Sequence, residues 1–144
     1  MIRWIVLLAG IVGAAGVSLG AFSAHGLDKK LVADGYSADM VLKKLNTCEI
    51  AVRYHLIHAV ALLALAAPPA VFAPRRRGLA ALLLLAGLGM FCGTLYAQAI
   101  LGLVGFNWVV PLGGGCFILG WLTIALAAFT ATPNPAADAR RASV

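Results

Sequence analysis

Ten polar side chains stand in otherwise apolar surroundings and offer the chain its chemistry: Ser23, His25, Arg53, Tyr54, His55, His58, Thr94, Tyr96, Gln98 and Asn107. His58 is the sharpest of them. An ionisable ring about 8–10 Å below a membrane surface is costly unless neutral or paired, so it marks either a site or an interhelical hydrogen bond. Tyr54 and His58 lie four residues apart, and His55 and His58 three, so each pair shares a helix face. Arg53 can snorkel to lipid phosphates. The ligand-binding set that follows is His25, Arg53, Tyr54, His58, Tyr96 and Gln98. An alternative places a metal on His25, His55 and His58, with Asp28 or Glu49 as a fourth ligand. No Cys-x-x-Cys or His-Glu-x-x-His spacing accompanies those histidines, and neither a metal nor a cofactor is expected. A Ser-His-Asp set, paired carboxylates, a phosphate loop and a dinucleotide fingerprint are all missing, which excludes an autonomous hydrolase or ATPase. No span holds the acid that an ion-coupled transporter would need.

The elements that must position these groups follow from composition. Of 144 residues 62% are hydrophobic and only 11% charged, with a mean hydropathy of +0.98. A soluble domain carries about a quarter charged residues, and a fold this small has too much surface to cover with so few. That argues against a soluble domain, a disordered tail and a nucleic-acid binder. It implies an all-α polytopic membrane protein whose first partner is the bilayer. The net charge of +6 is concentrated at span ends: Arg75, Arg76 and Arg77 form one run, and Arg140 and Arg141 lie in the tail, as lipid-facing topology anchors do. Three cysteines cannot make a disulfide framework; Cys92 and Cys116 read as small packing residues.

Ile5–Ala24 and Tyr54–Ala73 are each 20 residues without Asp, Glu, Lys or Arg, about 30 Å of helix and the depth of a hydrocarbon core. From Gly78 to Ala137 there is no charged side chain across 60 residues, so that stretch must turn back, at Gly102, Gly105, Asn107 and Pro111. The expected spans are residues 4–26, 51–73, 79–101 and 108–131, in one compact four-helix membrane domain with a polar tail over 132–144. Between the first two spans, Val41, Leu45, Cys48 and Val52 form a helical stripe. It predicts an amphipathic segment over 37–50, started by Ser37 or Asp39, that lies at the interface and runs into the second span. Small residues at spacing four, Gly16/Gly20/Ala24 and Gly89/Gly93/Ala97, together with Gly113 and Gly114, are the expected helix-packing positions. Alternating hairpins put nearly all the polar side chains at one membrane face. The side with Met1, the arginine run and the tail carries six Lys or Arg and the other side five. The bare arginine triplet decides for cytoplasmic termini, which would place the polar face outside the cytoplasm.

GAFSAHGL at Gly20–Leu27, AVRYHLIHAVALL at Ala51–Leu63, GMFCGTLYAQAILG at Gly89–Gly102 and VPLGGGCFILGW at Val110–Trp121 occur in this order. Together they resemble the domain of unknown function 423 family, related to the transmembrane protein 256 family of mitochondria, over about Ile5–Ala128. The resemblance implies a four-span protein of a bacterial inner membrane or organelle, with no established activity to carry over. It makes Gly20, Ala24, His25, Gly26, Tyr54, His58, Gly93, Leu95, Tyr96, Pro111, Gly113, Gly114, Gly120 and Trp121 motif positions. Ser23, His55 and Cys92 stand where Gly, Gln and Ser are common in the family, and the unusual His55 counts against a metal scheme that needs it.

Two functions follow. A rigid bundle without reaction machinery fits a non-catalytic accessory or assembly subunit of a larger membrane complex, or a homo-oligomer. A polar pocket at one face fits a binding protein for a lipid headgroup, a quinone or a small polar ligand.

Overall fold

The computed structural model of the chain describes residues 2–66 and 73–128, and every regular element there is helical. The charge-free run after Arg3 forms α1 (Ile2–His25), with Trp4, Ile11 and Val17 exposed on its outer face, where they meet lipid rather than water. Gly26 ends it. A short helix that the sequence reading did not anticipate follows, α2 (Leu27–Ala33), held by Leu27 and Leu31, both fully buried. It closes in a Schellman turn: Gly35 takes φ +84°, its N–H donates to the Val32 carbonyl, and the Tyr36 N–H donates to that of Leu31. Only glycine takes that left-handed conformation without strain.

The amphipathic stretch and the second span are one uninterrupted helix, α3 (Ala38–Ala64), with Ser37 at its N-cap position. The striped face is buried against protein. Val41 and Cys48 share a cluster with Leu27, Leu31 and Ala99, and Leu45 packs on it. The segment runs into the second span without a break, as expected, and its apolar face is covered by α2 and by Ala99 of the third span. As a helix the second span ends at Ala64; residues 67–72 of it lie outside the described residues. The third span is a continuous rod from Pro74 to Ile100, 27 residues long. It consists of α4 (Pro74–Gly87), a π-helical turn at Leu88–Gly93 and α5 (Thr94–Ile100). Pro74 occupies the first turn, where a missing N–H costs nothing. Gly102 and Gly105, both at positive φ, turn the chain into the fourth span, α6 (Val109–Ala128). The expected end of that span at 131 and the polar tail over 132–144 lie outside the described residues. All four spans are long and apolar enough to cross a membrane, and this is a polytopic four-span membrane protein.

Apolar side chains gain little by leaving lipid for one another, so close approach must do the packing. α1 packs along α3, and α4 along α6. On the first seam a Cβ at Gly16 would stand 2.8 Å from Leu56 Cδ2 and 3.2 Å from the His55 ring, and one at Gly20 would stand 3.1 Å from Val52. Gly16→Leu should therefore destabilise the bundle by about 1–3 kcal/mol, whereas Gly13→Ala, with nothing within 4 Å of the new methyl, should not; denaturation in detergent micelles compares them. Ala24, the third residue of that stripe, is exposed, and Ser23 is buried instead. On the second seam Gly87 abuts Phe117, Gly120 abuts Leu84 and Gly113 abuts the backbone of Phe91. Gly114 adds only an ordinary contact with the Phe91 ring. Gly89 and Gly93 do not serve this seam: both are exposed, and a Cβ there would meet nothing within 4 Å or only the Leu88 carbonyl at 3.9 Å. Hydropathy and glycine spacing alone cannot distinguish a face that meets lipid from one that meets a neighbouring helix.

The arginine run also differs from a set of lipid-facing anchors. Arg76 donates to the Leu126 carbonyl at 2.9 Å, and Arg77 is 2% exposed. The last carbonyls of α6 lack intrahelical donors and carry the negative end of the helix dipole, and the first turn of α4 lies beside them. At the opposite membrane face Lys44 does the same for α5, donating to the carbonyls of Gln98 at 2.7 Å and Ala99 at 3.4 Å.

Candidate functional site

Successive helical residues point about 100° apart, so Arg53, Tyr54 and His55 leave α3 in three directions although they share one membrane depth. The structure accordingly distributes the six expected ligand-binding residues among separate surroundings. They do not form a single pocket.

His58 is the centre of the first. It is 4% exposed and faces α6, where its ring stacks on Phe117 with centroids 3.5 Å apart and planes 16° from parallel. Its Nδ1 lies 2.7 Å from the Tyr54 carbonyl, and Trp121 Nε1 donates to its Nε2 at 3.2 Å. A carbonyl only accepts and an indole N–H only donates, so these partners select one neutral tautomer and occupy both ring nitrogens. Tyr54 extends the cluster, its ring 4.7 Å from that of Phe91 and stacked on Phe117. Phe91 sits in the π-helical turn, whose extra residue re-aims side chains within the rod. Three spans, the second, third and fourth, are thus joined through one imidazole and its aromatic neighbours.

His55 points the other way. Its ring rests on Gly16 of α1, and its Nδ1 lies 3.2 Å from the Tyr96 hydroxyl of α5, which ties the first, second and third spans. Gln98 is at the 101–108 hairpin, where its amide donates to Asn107 Oδ1 at 2.8 Å. Arg53 is exposed and lines a shallow groove of about 240 Å³ between α1 and α3 with Gly20, Ser23, Ala24 and Glu49. His25, the last residue of α1, is exposed.

The three-histidine metal alternative is not assembled: among the described residues no group of three or more His, Cys, Asp and Glu is placed to hold an ion. His25 is exposed at the end of α1, His55 is turned to Tyr96, and both nitrogens of His58 are engaged. Cys48 and Cys92 are buried free thiols and Cys116 is partly buried. Sequence reasoning did not assign the partners of His58. The available signal was the Phe117/Trp121 pair, four residues apart on one face of a span that must pass the same depth. Nor did it single out the cavity beneath the hairpin, lined by Tyr36, Lys43, Lys44 and Gln98. Its lysines belonged to a segment read as an interfacial connector.

The family model described as a protein of unknown function (DUF423) matches residues 19–114. The chain is 34% identical over 130 residues to a UPF0382 membrane protein of Haemophilus influenzae, covering 88% of this chain and 94% of that protein. It is 32% identical over 128 residues to the UPF0382 membrane protein YwdK of Bacillus subtilis, covering 85% and 94%. A UPF0382 membrane protein of Staphylococcus saprophyticus is 31% identical over 124 residues. No solved structure matches the chain. With four membrane-crossing helices, a glycine-mediated bundle and a match that spans both hairpins, the chain belongs to the DUF423 family of membrane proteins.

Proposed function

We propose that this protein is a non-catalytic accessory or assembly subunit of a larger complex in the bacterial inner membrane, with both termini on the cytoplasmic side. The observation that carries the reading is the use made of the intramembrane histidines. His58 has both nitrogens satisfied within the chain and His55 is tied to Tyr96 through Nδ1, so both rings fix helix positions and His58 offers no free ligand atom. A rigid bundle of this kind suits a surface on which another membrane protein is assembled.

The exposed glycines of the third span supply the face to test. Gly89, Gly93, Ala97, Leu103 and Phe106 line a groove of about 250 Å³ into which a partner's transmembrane helix can fit at close range. Purification in gentle detergent at native expression, followed by mass spectrometry, should return a second membrane protein in stoichiometric amount. Gly93→Leu should release that partner while leaving the melting temperature of the subunit unchanged, because position 93 is exposed and a Cβ there meets only the Leu88 carbonyl, at an ordinary contact distance of 3.9 Å. Recovery of the chain alone, or a partner retained by Gly93→Leu, would overturn the reading.

A further inference from the structure

A cavity of about 340 Å³ opens beneath the 101–108 hairpin, between the start of α3 and the end of α5. Tyr36, Lys43, Lys44 and Asn107 give it a polar side, while Met40 and Val104 give it an apolar one. Two lysines line it and no acidic residue does. The single ion pair found among the described residues, Lys30 with Asp34, is elsewhere. Lys44 is held in place by neutral partners alone, the Gln98 and Ala99 carbonyls and the Tyr36 ring with its centroid 4.6 Å from Nζ. Dipoles and a ring face orient the cation without cancelling its charge. The Lys43 side chain makes no bond within the described protein. Gly102, at φ +69°, brings the hairpin so close that a Cβ would stand 2.7 Å from the Tyr36 hydroxyl, which keeps the tyrosine at the cavity wall.

The depth of this cavity in the membrane identifies the occupant. Leu101, Val104, Phe106 and Trp108 of the hairpin are all exposed, Val104 to 84%, and a loop of that composition sits among lipids at the level of the headgroups. An anion held there by Lys43 and Lys44, with an apolar exit past Met40 and Val104, is the phosphate of an amphiphile. We propose that this cavity is a binding site for the headgroup phosphate of an anionic phospholipid, which the two lysines hold at one membrane face. The site is distinct from the His58 and His55 clusters and does not depend on the accessory-subunit reading.

The test is native mass spectrometry of the full chain in detergent, equilibrated with equal amounts of dioleoylphosphatidylglycerol and dioleoylphosphatidylcholine. One phosphatidylglycerol should be retained in preference by about twenty-five-fold, since each of the two lysines near the headgroup contributes about a fivefold preference for an anionic lipid. K43Q should lower that preference about fivefold and K43Q/K44Q should abolish it, whereas K29Q/K30Q, on the same membrane face but outside the cavity, should leave it. K43Q keeps the Lys44 cap on α5 and so reads the site even where the double variant is unstable. Equal retention of the two lipids, or a preference unchanged by K43Q, would overturn the proposal. Displacement of the lipid by excess inorganic phosphate would also overturn it, by assigning the cavity to a free anion.

Discussion

Gly113→Ala is expected to lower the stability of the bundle toward the upper end of about 1–3 kcal/mol, more than any other single methyl added to its glycines. The methyl would run into the backbone nitrogen and Cα of Phe91, which cannot step aside by changing a rotamer as the Leu56 methyl opposite Gly16 can. Relief requires α6 to move away from the π-helical turn. That movement would loosen Phe91 and Phe117, the two rings against which Tyr54 is packed. Gly115→Ala, two residues along the same helix and with nothing within 4 Å of its new methyl, should be neutral or slightly stabilising by helix propensity. Unfolding of the two variants in mixed micelles separates a close backbone approach from a general intolerance of alanine in α6.

His58→Ala should cost about 2–3 kcal/mol, combining the cavity left by the ring with the loss of its hydrogen bonds. The ring covers the face of Phe117, and without it the Trp121 N–H has no acceptor at a depth where water does not replace one. Arg53→Ala should leave the melting temperature within error, because Arg53 is exposed at the mouth of a groove. This contrast matters for function. Were His58 a ligand-binding residue, its removal would abolish retention of a small molecule while the bundle stayed folded; a clamp fails in the opposite way.

Much of this arrangement is written in the sequence, and the omissions have physical causes. Runs without charge locate the four spans, and Gly102 and Gly105 locate the last hairpin because no other residue takes positive φ freely. The stripe through Val41 and Cys48 correctly marks a face that leaves water. It does not say what covers that face, and α2, with only Leu27 and Leu31 to announce it, is too short to stand out from a connector. The π-helical turn is legible only in part, since Gly87, Gly89 and Gly93 permit it without requiring it. Choosing Gly89 and Gly93 over Gly87 as packing glycines shows the limit of spacing arguments in lipid, where both alternatives are equally apolar. Depth in the membrane could be read for His55, His58, Tyr96 and Gln98, but direction around the helix axis could not be assigned without knowing the neighbours. The polar residues expected to converge are for that reason dispersed among two interhelical contacts, a hairpin contact, a groove and the exposed end of α1.

The claim that the buried polar groups hold the bundle together is tested most directly by a double-mutant cycle between His58 and Trp121. Unfolding free energies of His58→Ala, Trp121→Phe and the double variant should reveal a coupling of about 0.6–1.7 kcal/mol, the range of interhelical hydrogen bonds in membranes. Additivity of the two substitutions within about 0.3 kcal/mol, with His58→Ala as stable as the parent protein, would contradict the clamp and return His58 to the search for a ligand.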